Sequence, residues 1–190
     1  MIRSLLAILA ASILNFIYGW ISWGMLPWHQ PEPFENEDAI AEAIKANTSK
    51  HAIYSYPDWT EMQTASDEEG QQAYLTKWRA GPSIYAMVRP GTNSDASMTT
   101  GMLSGFSISV LASTALFLLI RKSGHTEFLD RVSVALLAGL FLGIVSALYP
   151  WNWLEYPGRE TVATLCDGII PWTLAGVVMA LIMPKTDPAI

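Results

Sequence analysis

The sequence predicts a mainly α-helical membrane protein. Four transmembrane helices are expected, with a small helix-strand-helix-strand α/β domain outside the cytoplasm between helices 1 and 2. Three observations predict it. Hydrophobic residues make up 51% of the 190 and are concentrated in long runs rather than spread at amphipathic spacing. One long polar insert, about residues 27–100, interrupts these runs. The formal net charge of −6 resides in that insert, where eleven acidic residues from Glu32 to Asp95 stand against Lys45, Lys50, Lys77, Arg79 and Arg89. An acidic surface of this kind disfavours nucleic acid, because phosphate repulsion would have to be overcome without a basic patch.

The first span is expected within residues 1–28. Arg3 precedes more than 20 mostly apolar residues, a run too long for the central region of a signal peptide, and no small-x-small cleavage pattern follows. A retained signal anchor is therefore expected, long enough to cross about 30 Å of hydrocarbon. Trp20, Trp23 and Trp28 gather at its far end, where indoles favour the headgroup layer, and Pro27, Pro31 and Pro33 end it.

The outer domain is expected over residues 29–100. Asn36 is the expected N-cap of a helix whose first turn carries Glu37 and Asp38, with Ala39, Ile40, Ala43 and Ile44 as its apolar stripe. Ala52 to Tyr56 reads as a strand. Ser66 and Glu69 have capping-box spacing for a second helix that stops at Gly81-Pro82, and Ser83 to Arg89 reads as a second strand. Two strands and two short helices make too small a core to stand alone comfortably, and the strand edges are open, so this domain is expected to lean on the bilayer, a partner or another copy.

The second span is expected at 101–121, the third at 130–149 and the fourth at 161–184. Small residues line the second (Thr100, Ser104, Ser107, Thr114) and the third (Ala135, Gly139, Gly143, Ser146), which lets helices approach closely and predicts an antiparallel hairpin of these two. Trp151, Trp153 and Tyr156 fill an interfacial connection from Pro150 to Glu160. Arg3, Arg121, Lys122, Arg131 and Lys185 cluster on one side against Arg159 on the other, so both termini are expected in the cytoplasm and residues 29–100 outside an inner membrane. The exit Leu26-Pro27-Trp28-His29 and the stretch Trp151-Asn152-Trp153 resemble segments of small bacterial membrane proteins, a likeness that implies no activity.

Asp167 is the sharpest residue. It lies about 9 Å along the fourth span from Thr161, where an ionised carboxylate costs up to about 3 kcal/mol on insertion scales. Pro171 deprives its carbonyl of the usual helical donor. Depth counting puts Ser22, Ser107 and Ser146 in the same layer and Asn15 near mid-membrane, so an intramembrane polar cluster of these five is expected. Trp23, Trp28, Trp151 and Trp153 are the expected interface anchors. Trp59, Trp78 and Tyr85 are candidate contact residues of the outer domain.

No cofactor and no metal are expected. His29, His51 and His125 do not converge in sequence, and neither a haem-binding pattern nor a calcium loop is present. His29, beside Trp28 and the run Glu32, Glu35, Glu37, is a weak candidate metal ligand. Cys166 can form no internal disulfide and reads as a small packing residue. No nucleophile with a base and an orienting partner can be assembled, which argues against an enzyme. The leading expectation is a non-enzymatic inner-membrane protein, an accessory subunit or self-associating envelope protein. Its partners would be the bilayer and other membrane subunits or itself, docked through the outer domain and the small helix faces. The alternative is a small ion- or proton-coupled transporter or channel using Asp167.

Overall fold

The computed structural model describes residues 2–92 and 95–184; Lys185 and the polar tail lie outside the described residues. In chain order the elements are α1 (Ile2–Gly24), α2 (Glu37–Asn47), β1 (Ala52–Tyr56), α3 (Trp59–Thr64), α4 (Glu68–Ala80), β2 (Ile84–Val88), α5 (Asp95–Lys122), α6 (Phe128–Leu154) and α7 (Gly158–Ile182). They form two compact units, Met1–Pro31 with Ser94–Ile190, and Glu32–Asn93.

The first unit is a bundle of α1, α5, α6 and α7, each long and apolar enough to cross a membrane. Its pattern is inside out relative to a water-soluble bundle. Ala7, Ala11, Ser12, Asn15 and Ser22 are the buried face of α1, while Leu5, Leu6, Leu9, Ile13 and Ile17 point outward. Small inward residues let the axes approach, and the tightest approach is between α6 and α7. A Cβ on Gly139 would lie 2.9 Å from the Gly168 carbonyl oxygen, and one on Gly143 would lie 2.8 Å from that of Leu165. Gly168 stands against the backbone of Gly143, and Gly176 against the Ala135 methyl. Attraction between helices without a hydrophobic driving force comes from this kind of close packing.

The small face of α6 thus meets α7 rather than forming the expected hairpin with α5. The reason lies in α7, which brings Gly168, Ala175 and Gly176 to the seam, whereas a crevice of about 390 Å³ lined by Ala112, Ala115, Leu116, Leu119, Ala138, Leu142 and Trp172 opens beside α5. α5 instead packs chiefly on α1, with Gly105 beside Phe16, whose ring meets Phe106 edge-on.

Two further expectations are corrected here. α6 runs through Pro150 to Leu154, so Trp151 and Trp153 lie on a helix and the connection shrinks to Glu155–Pro157. A proline costs the helix one donor and displaces one carbonyl, yet the turn after it keeps its own bonds. At the opposite end of α7, Arg131 is 1% exposed and donates to the carbonyls of His125 (2.9 Å), Met183 (3.3 Å) and Pro184 (2.7 Å). It closes the C-terminus of α7, where unpaired carbonyls and the negative end of the helix dipole both favour a cation.

The second unit is built from local devices. Asn36, Asp58 and Asp67 cap α2, α3 and α4 by accepting from the backbone N–H groups of Ala39, Thr60 and Gly70. The short helix α3 was not expected, and the cap of α4 is Asp67 rather than Ser66, a carboxylate being the stronger acceptor for helix N–H groups. β1 and β2 pair antiparallel with Ala52 opposite Val88 and Tyr56 opposite Ile84. One sheet face, with Tyr54 and Ala86, is half-buried; the other shows Ile53, Tyr85 and Met87 to solvent.

Two outcomes test this fold. Gly168→Leu should force the α6 and α7 backbones apart and cost about 1–3 kcal/mol or more in detergent thermal unfolding, whereas Gly101→Ala, with open space at its Cβ, should be neutral or stabilise by up to about 1 kcal/mol. The Asp58 carboxyl is held below the usual aspartate range by the Thr60 backbone N–H first and the Thr60 hydroxyl second. Its cap is therefore fully present above the unfolded value of about 4 and lost as pH falls through the lower folded value. Protection of the Thr60 amide should drop in that acid window, and should not in Asp58→Asn, which keeps a neutral cap.

Candidate functional site

At the end of the bundle opposite Arg131, the exit of α1 is fastened to the first turns of α7. Glu160 and Asp167 are seven residues apart on α7, so they share one face and are offset by about 10 Å along its axis. The ring of His29 bridges that offset. Its Nδ1 lies 2.8 Å from Glu160 Oε1 and its Nε2 lies 2.9 Å from Asp167 Oδ2. The His29 side chain is 1% exposed, against 31% for Glu160 and 22% for Asp167.

The other Asp167 oxygen is served by α1. Ser22 Oγ donates to Oδ1 at 2.6 Å and Tyr18 Oη at 3.1 Å. They are four residues apart, hence on one helix face. Ser22 in turn accepts from Trp28 Nε1 at 2.9 Å, and the same indole N–H reaches the Ser22 carbonyl at 3.0 Å. That bond folds the exit turn back onto α1, whose last turns are closed by Met25 and Leu26 donating to the Ile21 carbonyl. Trp23 stacks flat on the His29 ring, with centroids 4.1 Å apart and planes 3° from parallel, and Trp28 meets it edge-on. The imidazole is therefore enclosed by two indoles and held at both nitrogens by carboxylates.

Proton counting constrains this arrangement. Each N···O contact needs one proton, so the trio of Glu160, His29 and Asp167 holds two while both contacts stand. An imidazolium supplies both. A singly protonated ring supplies one, and a lone pair then faces a carboxylate unless that carboxyl carries the proton.

Of the five residues expected in one polar layer, Asp167 and Ser22 come together. Ser107 and Ser146 do not join them: each hydroxyl turns back to its own helix, to the carbonyls of Leu103 and Leu142. Asn15 Nδ2 reaches Ser113 Oγ at 3.4 Å, and its buried Oδ1 has no partner among the described residues. Of the four expected interface anchors, Trp23 and Trp28 wall His29, while Trp151 and Trp153 are exposed at the end of α6. In the second unit Trp59 stacks on Tyr85 at 5.6 Å, and Trp78 is half-exposed nearby in sequence to the buried Tyr74.

Tyr18 and Glu160 were not singled out from sequence. The signal existed: Glu160 lies a heptad before Asp167, and Tyr18 lies one turn before Ser22. His29 as a metal ligand is disfavoured by geometry, because its two nitrogens point in opposite directions and each already faces a carboxylate. Among the described residues no group of three or more His, Cys, Asp or Glu could hold a metal ion.

Fold and site together define a mainly helical protein with four helices long and apolar enough to cross a membrane and a carboxylate-histidine-carboxylate cluster at one end of the bundle. Comparison with protein-family models, with curated proteins and with solved structures finds no match to this chain.

Ser22→Ala removes a donor to Asp167 and an acceptor for Trp28, and is expected to cost about 1–3 kcal/mol in detergent unfolding. Ser107→Ala and Ser146→Ala should stay within about 0.5 kcal/mol, and equal losses at all three would overturn this placement.

Proposed function

We propose that this chain is a multi-pass membrane protein without a catalytic role, an accessory subunit whose acidic outer domain docks a basic surface of another membrane component. Insertion is supported by the outward apolar faces of the four long helices. Both termini on the cytoplasmic side is the orientation that Arg3, Arg121 and Lys122 favour. The observation that carries the docking role is the second unit. Among its described side chains only Pro57 and Tyr74 are buried, while Trp59, Trp78, Tyr85, Ile53 and Met87 are exposed. Aromatic side chains such as these, displayed on α3, α4 and β2, are the residue types that dominate interface energetics. Its excess of carboxylates opposes pairing with a second copy and selects a positively charged partner.

Flux through Asp167 is the competing reading. The ionisable cluster reaches one end only, and towards Arg131 the bundle is filled by Ala7, Ala11, Leu116, Phe117, Ile120, Ala135 and Met179. Packing of that kind supports the docking role over a pathway.

The test is mild-detergent purification at native expression level with sizing of the particle. A stoichiometric second protein should be retained at low salt. It should be lost with Met87→Lys, which sets a cation against the basic partner at a side chain that is 77% exposed and so leaves the fold in place. A clean monomer, or a homo-oligomer insensitive to Met87→Lys, sinks the proposal.

A further inference from the structure

We propose that Glu160, His29 and Asp167 are a proton-binding site that clamps the exit of α1 to α7, closed while the trio holds two protons and released when one leaves. The site is built rather than incidental. The imidazole is 1% exposed, both of its nitrogens face carboxylate oxygens within 2.9 Å, and Trp23 stacks flat on it at 4.1 Å. A flat indole is also the partner that a cationic ring favours.

The groups that face the ring are few. α7 presents Glu160 and Asp167, with the half-buried Cys166 next in sequence to the latter. α1 presents Tyr18 and Ser22, both on the far oxygen of Asp167, and the uncharged indole of Trp23, and its exit turn presents that of Trp28. On the α5 side, the residues beside Trp23 are Gly105 and Ser109, neither of which titrates. Arg159 is exposed on the first turn of α7. The partly exposed Glu160 and Asp167 carboxylates give the enclosed ring its exchange route to water.

Loss of one proton to water changes a favourable contact into an opposed pair of lone pairs. With both carboxylates ionised, the neutral ring keeps one N–H···O bond, and its second nitrogen confronts a carboxylate in a dry setting. The ring cannot rotate to escape, since carboxylates stand at both nitrogens. The cheapest relief is outward movement of His29 with its exit turn. That movement breaks the Trp28 indole bond to Ser22, which makes the indole N–H a reporter.

A neutral amide at either carboxylate position removes the conflict. In Asp167→Asn the side-chain NH₂ donates to Nε2 while Glu160 accepts from Nδ1–H, so a singly protonated ring satisfies both contacts. Glu160→Gln does the same from the other side. A merely structural role predicts weakening in these variants; the proton site predicts insensitivity to pH.

The experiment follows ring ¹⁵N signals and Trp28 indole exchange of the full chain in lipid nanodiscs from about pH 5 to about pH 9. His51→Gln and His125→Gln assign the ring of His29, and Trp28→Phe assigns the indole. In the wild type, loss of the second ring proton and loss of indole protection should share one midpoint. Protection, corrected for intrinsic exchange, should fall at least about tenfold. Asp167→Asn and Glu160→Gln should hold protection constant within about twofold across the range. A wild-type indole whose protection does not change overturns the proposal, as does a variant profile that follows the wild-type course.

Discussion

A carboxylate inside an apolar helix must be compensated, and Asp167 is the group around which α1 is fastened to α7. On the proposed insertion its ionisation costs up to about 3 kcal/mol, while hydrogen bonds to charged groups contribute about 1.5–3 kcal/mol each, so the donors that converge on it decide its fate. Ser22, Tyr18 and His29 supply three, all from α1 or its exit. The consequence is directional. Helices that attract each other only by packing can slide or rotate, whereas these bonds fix both the register and the face of α1.

The α6 and α7 pair solves the opposite problem with opposite means. Where α1 and α7 are joined by polar side chains, α6 and α7 are joined by their absence, with Gly139, Gly143 and Gly168 letting backbone meet backbone and Gly176 seating the Ala135 methyl. Arg131 then fixes the far end by closing the α7 carbonyls from α6. It sits in the first turn of α6, the wrong end for a cation on its own helix, which shows that its charge serves the neighbouring helix instead. α7 is thus held by α1 at one end, α6 along its middle and Arg131 at the other end. α5 has only part of such a seam, and the crevice beside Leu116 and Trp172 marks where packing is incomplete.

Much of this was legible in the sequence, for physical reasons that differ by element. The four long apolar helices could be read because about 20 apolar residues in a row have few alternatives, and β1 could be read because Ile53, Tyr54 and Tyr56 are bounded by Pro57. The extension of α6 past Pro150 could not, because a proline disfavours a helix without forbidding it. Asp167 was legible from its cost alone, and Ser22 from depth counting. Depth counting failed for Ser107 and Ser146 because it gives a layer and not an azimuth: hydroxyls on the outward arc simply bond their own helix. His29 was visible, yet its partners were not, since nothing in a sequence says that the exit turn folds back against α7. The heptad from Glu160 to Asp167 was the missed clue.

The second unit shows how a short segment keeps its form without a core. A cap contributes about 1 kcal/mol, whereas a solvent-exposed ion pair such as Lys77 with Glu61 is screened by water and adds little. Three capped helices and one antiparallel strand pair therefore order the backbone while burying almost nothing. Apolar side chains left outside in this way are a liability in proportion to how easily two copies can stack them. Here the same segment carries the chain's excess of carboxylates, so every approach of a second copy brings like charges together around the sheet that would have to pair. On the docking role proposed above, a basic partner would meet the reverse situation: the charge that keeps copies apart would draw it in, and Trp59, Tyr85 and Met87 would supply the apolar contact. Exposed aromatic surface and surplus negative charge, each unfavourable by itself, are reconciled by the docking proposed for this segment.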